Sequence, residues 1–372
     1  MSGYFLYHSI GTFPGKAEKV KTALDRYAAI WSAENDAQWP AMLAERAHFI
    51  QSWERLIGAP AGSMTTVENV TLALYSLIGA LPEERLRGRC ILTAADCFPS
   101  LHFLLAGLQA RFGFTLKTVP VRQGEAYVRD EDFIDAWGSD VALALVTWVS
   151  STTSKLADLD LIATHAQKHD TIVVADITQG VGIRPFAVGG IDVVVGSSLK
   201  WLCGSSGAGM LYVRPDLMAG CRPELRGWFS QPNPFSWDLD AFDYAGDARR
   251  FDHGTPAVLA AIASQPGLDF VMETGVDALS PHNGRLTGLI AERVAANPRL
   301  RLASPAAAGE RGGSVMVQAA SGEAAAAIMA ALKAEGFYCD CRSRTLRFSP
   351  GAVTSLAETE ALCDALDRLA AV

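Results

Sequence analysis

Runs of apolar residues alternate with amphipathic stretches between Met64 and Arg214. Most of these runs are almost continuously apolar, which favours strands covered on both faces, as in a parallel sheet. The predicted strands are CILTAA (90–95), FTLKTVPV (114–121), VALALVTWV (141–149), TIVVADI (171–177), DVVVG (192–196) and GMLYV (209–213). Helices are predicted between them, so this region is expected to form a doubly wound α/β domain with a mostly parallel sheet. The last two runs are too close together for a helical crossover, which leaves an antiparallel pair open there.

A second pattern begins after Pro256. A long helical stretch (257–296) leads to the strand SVMVQAA (314–320), a helix (323–335), the strands FYCDC and TLRFS, and a final helix (355–371). We therefore predict an N-terminal segment and a large α/β domain over residues 1–256, and a small C-terminal α+β domain over residues 257–372. The aromatic and Pro-rich segment 220–256 is either a functional loop or a surface excursion.

Composition and charge argue against several classes of binding partner. The net charge is −8 and there is no long run of Lys or Arg, so the basic patch of a nucleic-acid-binding protein is missing. Neither a membrane span nor a secretion signal is expected. The seven cysteines are odd in number and scattered, which favours reduced thiols and a cytoplasmic location. The C-x-C pair Cys339 and Cys341 has no further ligands nearby in sequence, so no metal is expected.

Two ionisable residues follow apolar strands, at the ends where ligands bind in an open α/β sheet. Asp176 ends TIVVAD, and Lys200 follows DVVVGSSL. A lysine is rarely buried unless it is paired or reactive. On its own, the aspartate could equally cap a helix, bind a ribose or hold Mg²⁺. The chain has no G-x-x-x-x-G-K-[ST] motif, so it lacks a P-loop. Glycines 204, 207 and 209 follow the lysine and do not join a first strand to a helix, so the dinucleotide-binding fingerprint is not matched either.

Together, these residues fit pyridoxal phosphate (PLP) chemistry. A buried lysine with a lowered pKa forms a Schiff base with the PLP aldehyde, and an aspartate keeps the pyridine nitrogen protonated. Unit charges about 4 Å apart attract by roughly 4 kcal/mol at an effective dielectric of 20, which is enough to hold that proton at neutral pH. Phosphate donors are predicted from hydroxyls just before a helix, namely Ser63, Thr65 and Thr66, with Ser197 and Ser198 beside the lysine. Helix capping would explain the first group equally well.

The run ADITQGVGIRPF…GGIDVVVGSSLKWLCGSSGAGMLYVRPD resembles the class V aminotransferase group of fold-type I PLP enzymes. That group includes kynureninases, cysteine desulfurases and isopenicillin-N-epimerase-like proteins. The resemblance extends from YHSIGTFP to TLRFSPG and is strongest to kynureninases, through DCFPSLHF, GWFSQPNPF, RRFDHGTPAVLA and GFYCDCRSRTLRFSPG. It implies the fold-type I architecture, PLP as cofactor and a small amino acid as substrate.

The resemblance also implies roles for single residues. Phe98 would stack on the pyridine ring, Gln179 would bond the cofactor's phenolic oxygen, and Ser150 would lie near the ring. Trp228 would line the phosphate or substrate area, and Arg347 would clamp the substrate α-carboxylate. Thr255 would reach the phosphate bound to a neighbouring subunit, which implies a homodimer with active sites at the subunit interface.

The function implied is kynureninase-like hydrolysis of a Cβ–Cγ bond. The alternatives are an aminotransferase, an epimerase or a cysteine desulfurase or C–S lyase on the same scaffold, and, more remotely, a catalytically silent PLP-fold binding protein. Three positions depart from the kynureninase pattern: Leu199 replaces Tyr, Leu101 replaces Asp, and Gln179 replaces His. A desulfurase needs a nucleophilic cysteine on a mobile loop, whereas Cys339 and Cys341 fall on a predicted strand.

Overall fold

The computed structural model describes residues 3–370. The strands are β1 (Gly3–Tyr4), β2 (Met64–Val67), β3 (Cys90–Ala94), β4 (Thr115–Val119), β5 (Val141–Thr147), β6 (Ile172–Asp176), β7 (Val193–Ser197), β8 (Gly209–Val213), β9 (Arg301–Leu302), β10 (Val315–Gln318), β11 (Phe337–Tyr338), β12 (Asp340–Arg342) and β13 (Thr345–Phe348).

The helices are α1 (Lys16–Trp31), α2 (Gln38–Ile57), α3 (Val70–Ile78), α4 (Glu83–Leu86), α5 (Pro99–Phe112), α6 (Asp130–Asp135), α7 (Leu159–Gln167), α8 (Pro215–Gly220), α9 (Val258–Thr274), α10 (Val276–Ala296), α11 (Gly322–Ala334) and α12 (Leu356–Leu369). Short 3₁₀ turns lie at Trp228–Ser230, Ala248–Phe251 and Ala308–Glu310.

A seven-stranded sheet forms the centre of the large domain, in the order β2-β8-β7-β6-β5-β3-β4. The pairs β7-β6, β6-β5, β5-β3 and β3-β4 are parallel, whereas β8 runs antiparallel to both β7 and β2. The mostly parallel sheet is therefore confirmed. The open question about DVVVG and GMLYV is also answered, because those two strands are antiparallel.

The apolar runs are continuous because each strand is covered on both faces. Along β6, Val173 and Ala175 join one buried cluster, while Ile172 and Val174 join another on the opposite face. Strand side chains alternate between faces, so a strand between two helical layers needs apolar residues at every position. In the part of the chain that is described, no helix is long and apolar enough to cross a bilayer.

The small domain has an antiparallel sheet in the order β12-β13-β10-β9. Its helices α10, α11 and α12 share one core with this sheet, through Ile290, Leu332 and Leu362 among others. The helical stretch predicted over 257–296 consists of two helices. It is divided into α9 and α10 at Gly275, whose φ of +81° belongs to the left-handed region that favours glycine.

Two contacts cross the predicted domain boundary at residue 256, which itself stays a prediction. The N-terminal strand β1 pairs in parallel with β11 of the small domain, and Phe5 is fully buried in the small-domain core. In the other direction, α9 packs on α1 and α2 of the N-terminal region, where Phe13 and Phe270 stack with centroids 4.8 Å apart. The N-terminal segment therefore links the two cores, next to the end of β7.

Candidate active site

One cavity lies at the carboxyl ends of the central strands. It is lined by Val70, Phe98, Thr147, Val149, Ser151, Asp176, Thr178, Gln179 and Lys200. Thr147 ends β5 and Asp176 ends β6, while Lys200 lies three residues beyond the end of β7. The parallel order of these strands brings their ends to one edge, so Asp176 and Lys200 share a cavity as the sequence predicted.

The turn that carries Lys200 is fixed by close backbone contacts. The Gly11 amide donates to the Leu199 carbonyl at 3.0 Å, and the Gly204 amide donates to the Ser198 carbonyl at 2.8 Å. A Cβ atom on Gly11 would lie only 1.8 Å from the Lys200 carbonyl oxygen. Only glycine permits this approach, so the N-terminal segment holds the lysine turn against the sheet.

The environment of Lys200 favours its neutral amine. Burial, with a smaller contribution from the charge on Arg347, lowers the pKa of Lys200 to about 8, although the charge on Asp176 opposes the shift. The amine nitrogen lies 5.5 Å from the centroid of the Phe98 ring. An amine with this pKa is partly deprotonated near neutral pH and can attack a carbonyl carbon.

The lowered pKa predicts the pH dependence of the reaction between the cofactor-free protein and PLP. Only the neutral amine attacks, so the rate is expected to rise with pH and level off above about 8, well below the 10.5 of an ordinary lysine. Stopped-flow absorbance measures this rate. The reaction of PLP with Nα-acetyl-lysine is the reference, because it shows the part of the pH dependence that comes from ionisation of the cofactor itself. A protein rate that keeps rising in parallel with the reference beyond pH 10 would contradict the prediction.

The Asp176 carboxyl group is buried, with 4% of the residue exposed. Its Oδ1 accepts the Thr178 amide at 3.0 Å, and no other hydrogen bond reaches the carboxyl group from residues 3–370. Burial raises the pKa of Asp176, while Thr178 and the charge on Lys200 act in the other direction. A buried carboxyl group that lines the cavity and has an oxygen without a hydrogen-bond partner in the described chain is a suitable partner for a protonated ring nitrogen.

Three predicted cofactor contacts differ in their placement. Phe98 and Gln179 line the Lys200 cavity, and the Gln179 Nε2 donates to the His8 carbonyl at 3.1 Å. Ser150 does not line it, because its hydroxyl lies 3.0 Å from Thr152 Oγ1 and donates to the Asp96 carbonyl at 3.4 Å. The next residue, Ser151, lines the cavity instead.

The helix predicted just after Thr65 and Thr66 is present, but it begins four residues beyond Thr66. Both threonines lie within β2, and α3 begins later, at Val70, where the Asn69 side chain caps it by accepting the Leu72 amide at 2.9 Å. The two hydroxyls accept hydrogen bonds from Arg46 at 2.7 Å. The Thr65 hydroxyl also donates to Asp252.

The serines beside Lys200 have different surroundings. Ser197 is half-buried at the end of β7, while Ser198 is fully buried and accepts the Trp53 indole N–H at 3.2 Å. Neither is among the residues that line the Lys200 cavity.

Trp228 and Thr255 do not line the cavity of a single chain. Trp228 packs edge-to-face against Trp39 and Phe229, and Thr255 is exposed. Arg347 lies on β13 between the buried Leu346 and Phe348, as the alternation predicted. Its Nη1 donates to the Ser151 carbonyl at 3.3 Å, so its guanidinium group lies beside the cavity.

The side chains at the cavity fit PLP: a reactive amine, an aromatic ring beside it and a buried carboxyl group with a free oxygen. The profile of the family described as Aminotransferase class-V matches residues 51–339. The chain belongs to the class V aminotransferase family. It is therefore an enzyme of a PLP-dependent family, so the family and cofactor that the sequence resemblance implied are confirmed.

Relatives of this class V enzyme fall into two groups. A kynureninase from Deinococcus radiodurans is 30% identical over 294 residues, which cover 72% of this chain and 70% of that protein. Among solved structures, the apo cysteine desulfurase from Thermococcus onnurineus NA1 superposes with a TM-score of 0.87 at 19% identity, covering 100% of this chain and 95% of that one. A variant of the cystine C–S lyase C-DES, with glycine covalently linked to its PLP, reaches 0.86 at 20% identity, covering 99% and 96%. These structures confirm fold type I.

Five cavity residues of the class V enzyme were missed in the sequence: Val70, Thr147, Val149, Ser151 and Thr178. The buried hydroxyls of Thr147 and Thr178 have no hydrogen-bond partner within the described chain. Val70 is the first residue of α3, so the start of that helix, where backbone amides lack partners within the helix, lies at the cavity. Asn69 was the available signal, since Asn is a preferred residue for capping a helix start.

Proposed function

We propose that this class V enzyme hydrolyses the Cβ–Cγ bond of an amino acid that carries a γ-ketone, as in kynurenine. The observation that carries the proposal is the similarity to a kynureninase at 30% identity across more than two thirds of both chains, together with the cavity around Lys200. In this reaction water adds across the Cβ–Cγ bond. The hydroxyl joins the carbonyl carbon to give an aromatic carboxylate, and a proton joins Cβ to give alanine.

PLP, when bound, supplies an electron sink for the pair released at Cα of the substrate. In this proposal Lys200 would hold PLP through its amine, and the same amine, once free, would remove the proton from Cα of the substrate. Its pKa of about 8 suits a base that works near neutral pH, because the neutral amine can accept a proton and release it again. Asp176 would hold a proton on the ring nitrogen of PLP, and Gln179 would donate to its phenolic oxygen.

The start of α3 is the proposed phosphate site. Its free backbone amides and the positive end of its dipole favour an anion, and Val70 places that helix start at the cavity wall. The hydroxyls of Thr65 and Thr66 would then act through Arg46 and Asp252, by holding β2 in place before the helix. Ser197, Ser198, Ser150 and Trp228 stay predicted contacts of the bound cofactor.

A homodimer is part of the proposal. Thr255 is exposed and lies outside the cavity of its own chain, as expected of a residue that completes a neighbour's phosphate site. The segment before it exposes large apolar side chains: Phe235 is 51% exposed, Trp237 82% and Leu239 96%. A second copy of the chain would bury this surface together with Thr255.

The departures from the kynureninase pattern fall largely outside the cavity. Leu101 is fully buried in the core on α5, and Leu199 contacts the N-terminal segment through its carbonyl. Neither lines the cavity, whereas Gln179 does. A desulfurase is less well supported, since burial raises the pKa of Cys339 to about 12 and so disfavours the thiolate that desulfuration requires.

The test is to mix PLP-loaded protein with kynurenine, 3-hydroxykynurenine, cysteine and cystine, and to follow product masses together with cofactor absorbance. We expect the matching anthranilate and alanine in equal amounts from a kynurenine, and none from the Lys200→Ala variant. Sulfide or pyruvate from the sulfur amino acids, with both kynurenines left intact, would replace the proposal with a C–S lyase.

A further inference from the structure

The guanidinium group of Arg347 already binds a carboxylate of its own chain. Strands β12 and β13 pair antiparallel with Asp340 directly opposite Arg347, so the two side chains project from the same face. Arg347 Nε donates to Asp340 Oδ1 at 2.6 Å, and Nη2 donates to Oδ2 at 2.5 Å. This two-point contact occupies the Nε edge of the guanidinium group, which is one of the edges that a substrate carboxylate could use.

Asp340 is itself held by other groups. His8 Nε2 lies 3.2 Å from its Oδ1, and Arg342 Nη1 lies 3.5 Å from its Oδ2. Burial of the carboxyl group opposes ionisation, but the contacts with His8 and Arg347 outweigh it and hold the pKa of Asp340 well below its ordinary value. The side chains of Arg347 and Asp340 are only 11% and 21% exposed. Asp340 therefore stays ionised and in place over the working pH range of an enzyme.

The other edge of Arg347 is the one beside the cavity. Nη1 donates only to the Ser151 carbonyl, at the long distance of 3.3 Å, and Ser151 lines the Lys200 cavity. Asp340 thus holds the guanidinium group through Nε and Nη2, while Nη1 lies on the side of the cavity, at Ser151.

We propose that Asp340 is a positioning residue that fixes Arg347 so that the Nη1 and Nη2 end, not the Nε edge, receives the carboxylate of the substrate. The inference rests on the proposed function, because it requires an amino-acid substrate bound near Lys200. It holds for any amino acid that the class V site accepts. Without Asp340, Arg347 is free to rotate, and ordering it again on binding weakens the affinity for carboxylate-bearing ligands.

The test compares L-alanine with L-alaninamide, which keeps the amine but lacks the carboxylate charge. Each is titrated into the PLP-loaded protein, and the change in cofactor absorbance gives its dissociation constant. For Asp340→Ala we expect L-alanine to bind about 10- to 100-fold more weakly, which lies within the range of interaction energies between contacting residues. The dissociation constant of L-alaninamide should change by less than about twofold. In the Arg347→Ala background, Asp340→Ala should cause no further loss for L-alanine.

Two further variants keep the test decisive. Asp340→Asn preserves the shape and one acceptor oxygen, so it should fold even if the alanine variant does not, and it should show a smaller loss of the same kind. Asp364→Ala is the matched control, because Asp364 also pairs with an arginine of the small domain, Arg293, but Asp367 holds that arginine as well. We expect wild-type binding of both ligands from Asp364→Ala.

Equal weakening of both ligands, or unchanged or tighter binding of L-alanine by the Asp340 variants, would overturn the inference. Equal weakening would make Asp340 a general structural residue, unchanged binding would leave it without a role in carboxylate binding, and tighter binding would make it a competitor for the substrate carboxylate. Failure of the proposed function looks different. In that case wild-type protein would give no absorbance change with PLP, or PLP-loaded protein would bind L-alanine normally and leave the kynurenines intact.

Discussion

Replacement of Lys200 by alanine is expected to abolish turnover, lowering kcat by about 10³-fold or more, because the variant loses both the amine that binds the cofactor covalently and the proposed Cα base. The structure places this amine in a cavity where burial lowers its pKa to about 8. The variant should also lose the absorbance band of covalently held cofactor, while retaining some PLP through non-covalent contacts. Steady-state kinetics and absorbance spectra of PLP-loaded protein measure the two effects.

The matched control for this prediction is Lys155→Ala. Lys155 is another largely buried lysine on the same side of the sheet, with its side chain 11% exposed, but its amine is paired with Asp130. The control should keep the covalent cofactor band and lose activity only by severalfold. If Lys200→Ala kept the band and more than about a tenth of the wild-type rate, another lysine would have to carry the cofactor, and the assignment of Lys200 would be wrong.

The central sheet could be predicted because its strands have a simple physical requirement. A strand such as β6 must be apolar at every position when helices cover both faces, and this leaves a continuous run in the sequence. The ends of those runs also locate Asp176 and Lys200, since parallel strands bring their carboxyl ends to one edge of the sheet. Local pattern and global topology agree here, so the sequence alone was sufficient.

The phosphate region was harder to predict because hydroxyl residues suit two structures. Thr65 and Thr66 have a high propensity for strands, and they pair with Leu211 and Met210 of β8. The helix start depends instead on Asn69, whose side chain caps α3. The hydroxyls of Thr65 and Thr66 form hydrogen bonds with Arg46, and that of Thr65 also with Asp252. These partners are far away along the chain, so nothing in the local sequence indicates them.

The contacts of Arg347 could not be predicted from the sequence either. The alternating pattern predicted the position of Arg347 on a strand, but its partner, Asp340, depends on the register of β12 with β13. That register is set by a tight turn in which Ser343 adopts a φ of +51°, without the Asn-Gly or Asp-Gly pair that usually marks such a turn. His8 comes from the opposite end of the chain, and only the folded structure brings it within 3.2 Å of Asp340.

Replacement of Asp176 by asparagine is expected to lower kcat by about 10²- to 10⁴-fold. A carboxylate about 4 Å from a protonated ring nitrogen supplies roughly 4 kcal/mol at an effective dielectric of 20, or about three powers of ten in the protonation equilibrium. Asparagine keeps the shape and can still accept the Thr178 amide, which donates to Asp176 at 3.0 Å, so the local backbone should be preserved. The loss should therefore fall on the chemistry and not on folding.

The comparison with Asp96→Asn separates this electrostatic role from a general effect of removing a buried acid. Asp96 follows β3 near the same edge of the sheet, and burial raises its pKa as it does for Asp176, but Asp96 does not line the Lys200 cavity. Its variant should stay within severalfold of wild-type kcat. A cofactor analogue that carries a permanent positive charge on the ring nitrogen should restore much of the activity of Asp176→Asn, because it no longer needs the carboxylate to hold a proton. Near-normal kinetics for Asp176→Asn with ordinary PLP would show that ring protonation does not depend on Asp176, and the electron-sink argument for this residue would then fail.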